Sequence, residues 1–118
     1  MAEILNAQIT GTFLGMEHGC LTADVFVDTG IWQCAYGGYC LEHWECTPGE
    51  YKSHHGLGAI IELMKTLEVT KWEDLKGKYI RVETGSGWGS GITRIGHLMK
   101  DKWFSFEDYY KICKEEDE

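Results

Sequence analysis

Arginine is nearly absent from this chain, which has two, Arg81 and Arg94, against nine lysines. A planar, permanently charged fork is therefore available at two places only. Positive charge as a whole is short, and the net charge is −8. An acidic protein is repelled by long polyanions, so a nucleic-acid polymer is excluded as the expected ligand. A small phosphorylated molecule is not, because a pocket needs only local positive potential. No apolar run is long enough to span a membrane. The start MAEILNAQITG lacks the basic and apolar regions of a signal peptide, so the chain is expected to stay in the cytoplasm. There is no C-x-x-C, and the five cysteines (Cys20, Cys34, Cys40, Cys46, Cys113) are odd in number. In a cytoplasmic protein these are most simply reduced thiols, several packed as small apolar groups. Proline occurs once, at Pro48, so little else besides glycine punctuates the chain.

What is present suits one domain over residues 1–118, with 43% hydrophobic and 25% charged residues. Leu5, Ala7, Ile9 and Phe13 alternate with polar residues, as do Leu21, Ala23, Val25 and Val27. That period of two marks half-buried strands, and GMEHG between them predicts a hairpin. A third strand is expected over 31–41, where Gly37–Gly38 signals a bulge or a close backbone approach. Leu57, Ile60, Ile61, Met64 and Leu67 share one helical stripe and predict the main core helix. Thr70 and Glu73 offer a capping box for a short helix that Gly77 can end. KYIRVE and ITRIGHLMK read as further strands, and Ser105 as the N-cap of a last short helix. The expected class is α+β: a mostly antiparallel sheet of about five strands, one main helix and a short C-terminal helix. Phe26, Ile92 and Leu98 fall on faces that one helix cannot cover, which suggests burial against another copy of the chain.

The stretch ETGSGWGSGITRIGH, residues 83–97, carries five glycines. It lacks the G-K-[ST] ending of a P-loop and the third glycine of the dinucleotide fingerprint. What remains is a glycine run, with Gly87 and Gly89 inside it, whose free backbone N–H groups can line an anion-binding concavity. Ser86 and Ser90 add hydroxyls, and Trp88 offers a stacking face. Arg81 and Arg94 flank the run, and adjacent antiparallel strands would bring them to one end of the sheet, where Arg94 could fork onto a phosphate. Against this stands a plain hairpin loop flanked by surface ion pairs. His97 could act as a base near the loop, but no acid is spaced to orient it, and no G-x-S-x-G occurs. Rings such as Trp32, Tyr36, Trp88 and Trp103 suit stacking pockets and cores alike. Cys40, His43 and Cys46, followed by His54 and His55, have zinc-type residues. Their setting reads as a strand running into a loop, so no metal is expected.

Taken in order, ITGTFLGMEHGCLTADVFVD, YGGYCL, GLGAIIELMKTLEV, KWEDLKGKYIRVE and GWGSGITRIGHLMKDKWF resemble the phage-encoded Thoeris anti-defence sponge proteins, type one, over nearly the whole chain. The resemblance implies a non-catalytic protein with no cofactor. It implies sequestration of the cyclic ADP-ribose isomer made by a bacterial TIR-domain defence enzyme, in the cytoplasm of the infected host. It also implies homodimers that can form homohexamers, with ligand sites at dimer interfaces, and cyclic oligonucleotides as a second ligand class. On this likeness Arg94, then Arg81, would hold phosphate, and Trp88, then Tyr36, would stack on the base. Gly87, Gly89, Ser90 and His97 complete the expected ligand-binding set.

Overall fold

A computed structural model describes residues 3–43, 55–85 and 91–117. Its first half is one long hairpin with additions. Strands β1 (Glu3–Glu17) and β2 (Cys20–Asp28) pair antiparallel. The turn between them is His18–Gly19, both at positive φ (51° and 78°). Such a turn twists in the same sense as its strands, and glycine accepts it freely. The expected hairpin is therefore present, with β1 longer at both ends than the alternating segment. The register slips between Ile9 and Gly11, so that Ile9 faces Val27 while Thr12 faces Val25. This bulge reverses the parity of everything after it. Phe13 consequently leaves the face that Ala7 and Ile9 share, and its ring lies over Gly15.

Strand β3 (Gln33–Gly37) pairs with β2 and is shorter than expected. Gly37 and Gly38 have φ of 133° and 81°. A Cβ on Gly37 would strike the carbonyl oxygen of Ala23, so the glycine pair marks a close backbone approach. Strand β4 (Glu42–His43) then returns to β2, opposite Leu21 and Cys20. That return places Cys40 beside Cys20, and the two form a disulfide with a Cα–Cα separation of 5.2 Å. The reading of both as reduced thiols is thereby corrected. The pairing depends on β4, which two residues cannot announce by periodicity. Cys34 and Cys113 are free thiols, and Cys46 lies outside the described residues.

The second half contains α1 (His55–Leu67), a 3-10 turn (Trp72–Leu75), β5 (Tyr79–Thr84), β6 (Ile92–His97), β7 (Trp103–Phe104) and α2 (Phe106–Asp117). The sheet order is β3-β2-β1-β5-β6-β7, with β4 beside β2. Every pairing is antiparallel. The α+β class with a main and a C-terminal helix is as expected. Among the described residues the strands number seven rather than about five, because β4 and β7 have two residues each.

One sheet face carries Ala7, Ile9, Ala23, Val25, Val27, Ile80, Val82 and Ile95, and packs with Ala59, Leu63 and Leu67 of α1 and Phe106 of α2. The buried stripe of α1 is not the one its largest residues suggest. Leu57 and Ile61 are 69% and 51% exposed, while Ala59, Leu63, Thr66 and Leu67 are buried. Small residues decide the orientation: a Cβ on Gly56 would stand 2.6 Å from the Leu41 carbonyl oxygen, so this side of the helix sits close to the sheet.

α1 closes with Val69 N–H donating to Met64 O (3.0 Å) and Glu68 N–H to Lys65 O (3.2 Å). This double cap needs a left-handed residue, and Glu68 takes that role at φ 57° where glycine is usual. The expected capping box at Thr70 and Glu73 does not form. Lys71 precedes the 3-10 turn with no side-chain cap. Ser105 does cap α2, its Oγ accepting from Asp108 N–H at 3.2 Å. Phe106 N–H donates to the Tyr36 hydroxyl at 2.8 Å, and the two rings are 5.5 Å apart. Tyr36 belongs to one edge strand and Phe106 follows the other. The sheet thus curls until both edges share the first turn of α2. Among the described residues no helix is long and apolar enough to cross a membrane.

Candidate functional site

The register across β5, β6 and β7 puts Arg81, Gly96 and Trp103 in one row, with Glu83 and Arg94 in the next. Strand alternation turns this set away from Ile80, Val82 and Ile95 of the core face. Gly96 has no side chain, and the Trp103 indole fills that space. A Cβ there would meet ring carbons at 2.6 and 2.7 Å. Both guanidinium groups reach this indole, with Cζ 4.7 Å (Arg81) and 4.2 Å (Arg94) from the ring centroid. At such distances the ring quadrupole attracts a cation.

The two arginines do different work. Arg81 donates from Nε to His97 O and from Nη2 to Lys100 O, both at 2.8 Å. It thereby fastens the connection between β6 and β7. Arg94 donates from Nη2 to Glu83 Oε2 at 2.8 Å. Its Nε is buried with no partner among the described residues. Glu83 also accepts from the Thr93 hydroxyl at 3.0 Å. The Arg94 hydrogen bond holds the Glu83 carboxyl below the ordinary carboxylate range, against burial and with help from Thr93.

Strand β7 ends where the chain comes opposite Arg94, and α2 starts there. The turn leaves a groove of about 400 Å³ between Arg94, Trp103, Ser105, Asp108 and Tyr109, closed on the α1 side by Glu62 and Thr66. Phe104 and Ile112 add apolar wall. Gly58 of α1 makes room for this packing, since a Cβ there would strike the Tyr109 hydroxyl. The Thr66 hydroxyl donates to Glu62 O at 2.8 Å. Burial above all raises the Tyr109 phenol to about 12. The groove thus offers one cation for an anion, two carboxylates for amino or hydroxyl donors, and aromatic walls.

His97 is half-buried and its Nδ1 accepts N–H bonds from Met99 (3.1 Å) and Lys100 (3.0 Å). The neutral ring therefore carries its proton on Nε2, which stands 3.8 Å from Glu68 Oε1. Glu68 also receives Lys100 at 2.7 Å and Lys102 at 3.0 Å. Hydrogen bonds from Lys100 and then Lys102 bring its carboxyl down to about 2. His97 so placed organises a loop and has no free nitrogen posed as a base.

Arg81, Arg94 and His97 are thus brought to one end of the sheet. Tyr36 is not with them. It is 4% exposed under α2, its hydroxyl engaged by Phe106 N–H, and burial pushes its phenol up to about 12. It is a core residue and presents no open stacking face. Gly87, Trp88, Gly89 and Ser90 lie outside the described residues. The flanks of their run are joined, Gly85 N–H donating to Gly91 O at 3.1 Å, which makes the segment a β5–β6 connection. Sequence reasoning did not single out Glu83, Asp108 or Tyr109, and it named Trp103 only among several rings. The available signal was the glycine at 96, which leaves a flat place for a neighbouring indole. Among the described residues no group of three or more His, Cys, Asp or Glu is set to hold a metal. Cys40 is joined to Cys20, while Cys46 and His54 lie outside those residues.

Comparison with protein-family models, with curated proteins and with solved structures finds no match for this chain.

Proposed function

We propose that this protein is a non-catalytic binder of a small phosphorylated ligand, and that the ligand is a cyclic ADP-ribose isomer, as the resemblance to the Thoeris anti-defence sponges implies. One observation carries the reading: both arginines converge on one indole, and the one with an unused buried donor, Arg94, lines the groove. Arg94 holds a phosphate, while Arg81 keeps Trp103 and the β6–β7 connection in place. Backbone N–H groups of Gly87 and Gly89 and the Ser90 hydroxyl add donors, and Trp88 stacks on the base. Asp108 and Glu62 accept from an exocyclic amine or ribose hydroxyls. Sequestration occurs in the cytoplasm of an infected bacterium and withholds the signal from its effector; cyclic oligonucleotides form a second ligand class. A homodimer or homohexamer suits the apolar surface left open at Leu57, Ile61 and Ile112.

An enzyme that cleaves such a signal with His97 as base is the weaker reading, because His97 Nδ1 already accepts two N–H groups. The test is retention. The protein is incubated with cyclic ADP-ribose isomers, separated from free ligand by gel filtration and denatured by heat, and the released small molecules are chromatographed. Intact ligand in stoichiometric amount is expected. Hydrolysed ligand would favour the enzyme, and no retained ligand would leave a protein-binding inhibitor. Arg94→Ala should weaken binding by roughly 1.5–3 kcal/mol, as for a charged hydrogen bond.

A further inference from the structure

The partners of Arg94 are unevenly distributed. Its Nη2 donates to Glu83, yet its Nε, on the same edge of the guanidinium plane, is buried and unused among the described residues. An arginine paired with a carboxylate commonly offers two parallel N–H groups, and here only one is taken. Glu83 cannot easily shift to take both, because Thr93 holds its other oxygen at 3.0 Å. The guanidinium cannot easily turn either, since its face lies 4.2 Å from the Trp103 centroid. On its Nε/Nη2 edge Arg94 is thus held with one donor left over and the other occupied by a carboxylate that has a second anchor.

We propose that Glu83 is a built-in competitor for the ligand's phosphate: it occupies Arg94 in the empty protein and is displaced when a phosphate takes Nε and Nη2 together. The proposal rests on the reading above that Arg94 binds phosphate. Displacement leaves Glu83 with its Thr93 hydrogen bond, so its carboxylate stays partly satisfied. An anion with a single weak acceptor exchanges one bond for another and gains nothing. A phosphate with two oxygens facing the fork gains the Nε bond as well. Glu83 therefore sets a threshold that selects anions able to span both donors over anions that offer a single acceptor. It also keeps Arg94 in the bound orientation before the ligand arrives.

Inorganic pyrophosphate is the probe. It is titrated calorimetrically into the wild type, Glu83→Gln, Arg94→Lys and the double variant, in full-length protein at one fixed salt concentration. Glu83→Gln keeps the shape and the Thr93 contact but removes the competing charge. It should bind pyrophosphate about tenfold more tightly than the wild type, a difference of about 1.4 kcal/mol. That gain should vanish when Arg94 is lysine. Glu73→Gln, which removes one acid on the 3-10 turn, controls for overall charge and should gain much less. Urea midpoints of all variants confirm folding. Arg94-dependent binding with no gain in Glu83→Gln, or an equal gain in Glu73→Gln, overturns the role of Glu83 and leaves Arg94 as the phosphate group. Binding that Arg94→Lys does not weaken overturns both.

Discussion

Replacing Gly96 by alanine tests how the site is assembled, because the substitution adds one methyl group where an indole lies. Gly96 is in strand β6 and its backbone does not require glycine, so the effect is steric. The new Cβ would stand 2.6 and 2.7 Å from Trp103 ring carbons and 2.9 Å from Lys102 O. Van der Waals contact begins at 3.4 Å, so the ring must retreat by about 0.8 Å (3.4 − 2.6) or swing away. Such overpacking costs about 1–3 kcal/mol. If the ring swings away, two partly exposed cation–π contacts of about 0.5–1 kcal/mol each go with it. The lower entropy of the unfolded alanine chain returns about 0.4–1 kcal/mol. The expected net loss is about 1–3 kcal/mol. With a urea m-value of about 2 kcal/mol/M, the midpoint falls by roughly 0.5–1.5 M. The Trp103 indole N–H, which donates to Asp101 at 3.2 Å, should shift in the nitrogen–proton correlation spectrum. Gly91→Ala is the matched control, since nothing lies within 4 Å of its added Cβ. It should be neutral or stabilising by up to about 1 kcal/mol. An unchanged midpoint and an unmoved indole resonance in Gly96→Ala would refute the account of Trp103 as the wedge that gathers both arginines.

Three further outcomes are expected. Tyr36→Phe removes the acceptor of Phe106 N–H and leaves a buried donor unpaired, which should lower unfolding free energy by about 1–3 kcal/mol in urea titrations. Glu68 has an ordinary value of 4.5 and a folded value of about 2, so the unfolded chain binds its proton first on acidification. Its contribution is complete above about 4.5 and is lost as the pH falls towards 2; Glu68→Gln should flatten that part of the stability–pH curve, and an unchanged curve would mean the lysines do not hold Glu68 in solution. Replacing Cys20 and Cys40 by serine opens a link between residues 20 apart in sequence. The chain-entropy estimate for such a loop is roughly 3 kcal/mol. Equal denaturation curves for oxidised wild type and the double variant would show that the disulfide adds no stability.

Local features of the fold were legible in the sequence and relational ones were not. The β1–β2 hairpin, the inward residues of β2 and the Ser105 cap each depend on a few adjacent residues, and each is found. Phe13 was misplaced because a bulge between Ile9 and Gly11 reverses parity without changing composition. The helix stripe was right at Leu67 and Ile60 and wrong at Leu57 and Ile61, because α1 is apolar around most of its circumference and its buried side is chosen by Gly56 and Ala59. The disulfide and β7 depend on two-residue strands below any periodic signal. At the candidate site, the nearness of Arg81 and Arg94 followed from their places on adjacent strands. Their division into a fastening arginine and a groove arginine did not, because it depends on carbonyl groups of the β6–β7 connection. Tyr36 looked like a stacking ring until the curl of the sheet carried it under α2.

The strand order has a consequence for how this protein can change. Among the described residues, all those that line the groove, from Glu62 to Ile112, come from the second half of the chain. The first half supplies strands β1 to β4 and joins the second through the β1–β5 ladder, hydrogen bonds from Gln8 and Ile9 to Gly77 and Lys78, core packing and the Tyr36 hydroxyl. The described lining of the groove and the hairpin scaffold are therefore written in separate stretches of sequence. Mutations can accumulate in the hairpin half without touching the groove, provided that the seam with β5 and the tyrosine under α2 survive. On the proposed reading, the second half can alter its selectivity through Glu83, Asp108 or Glu62 without disturbing the hairpin. A lineage under pressure to follow a changing ligand could then adjust one half at a time.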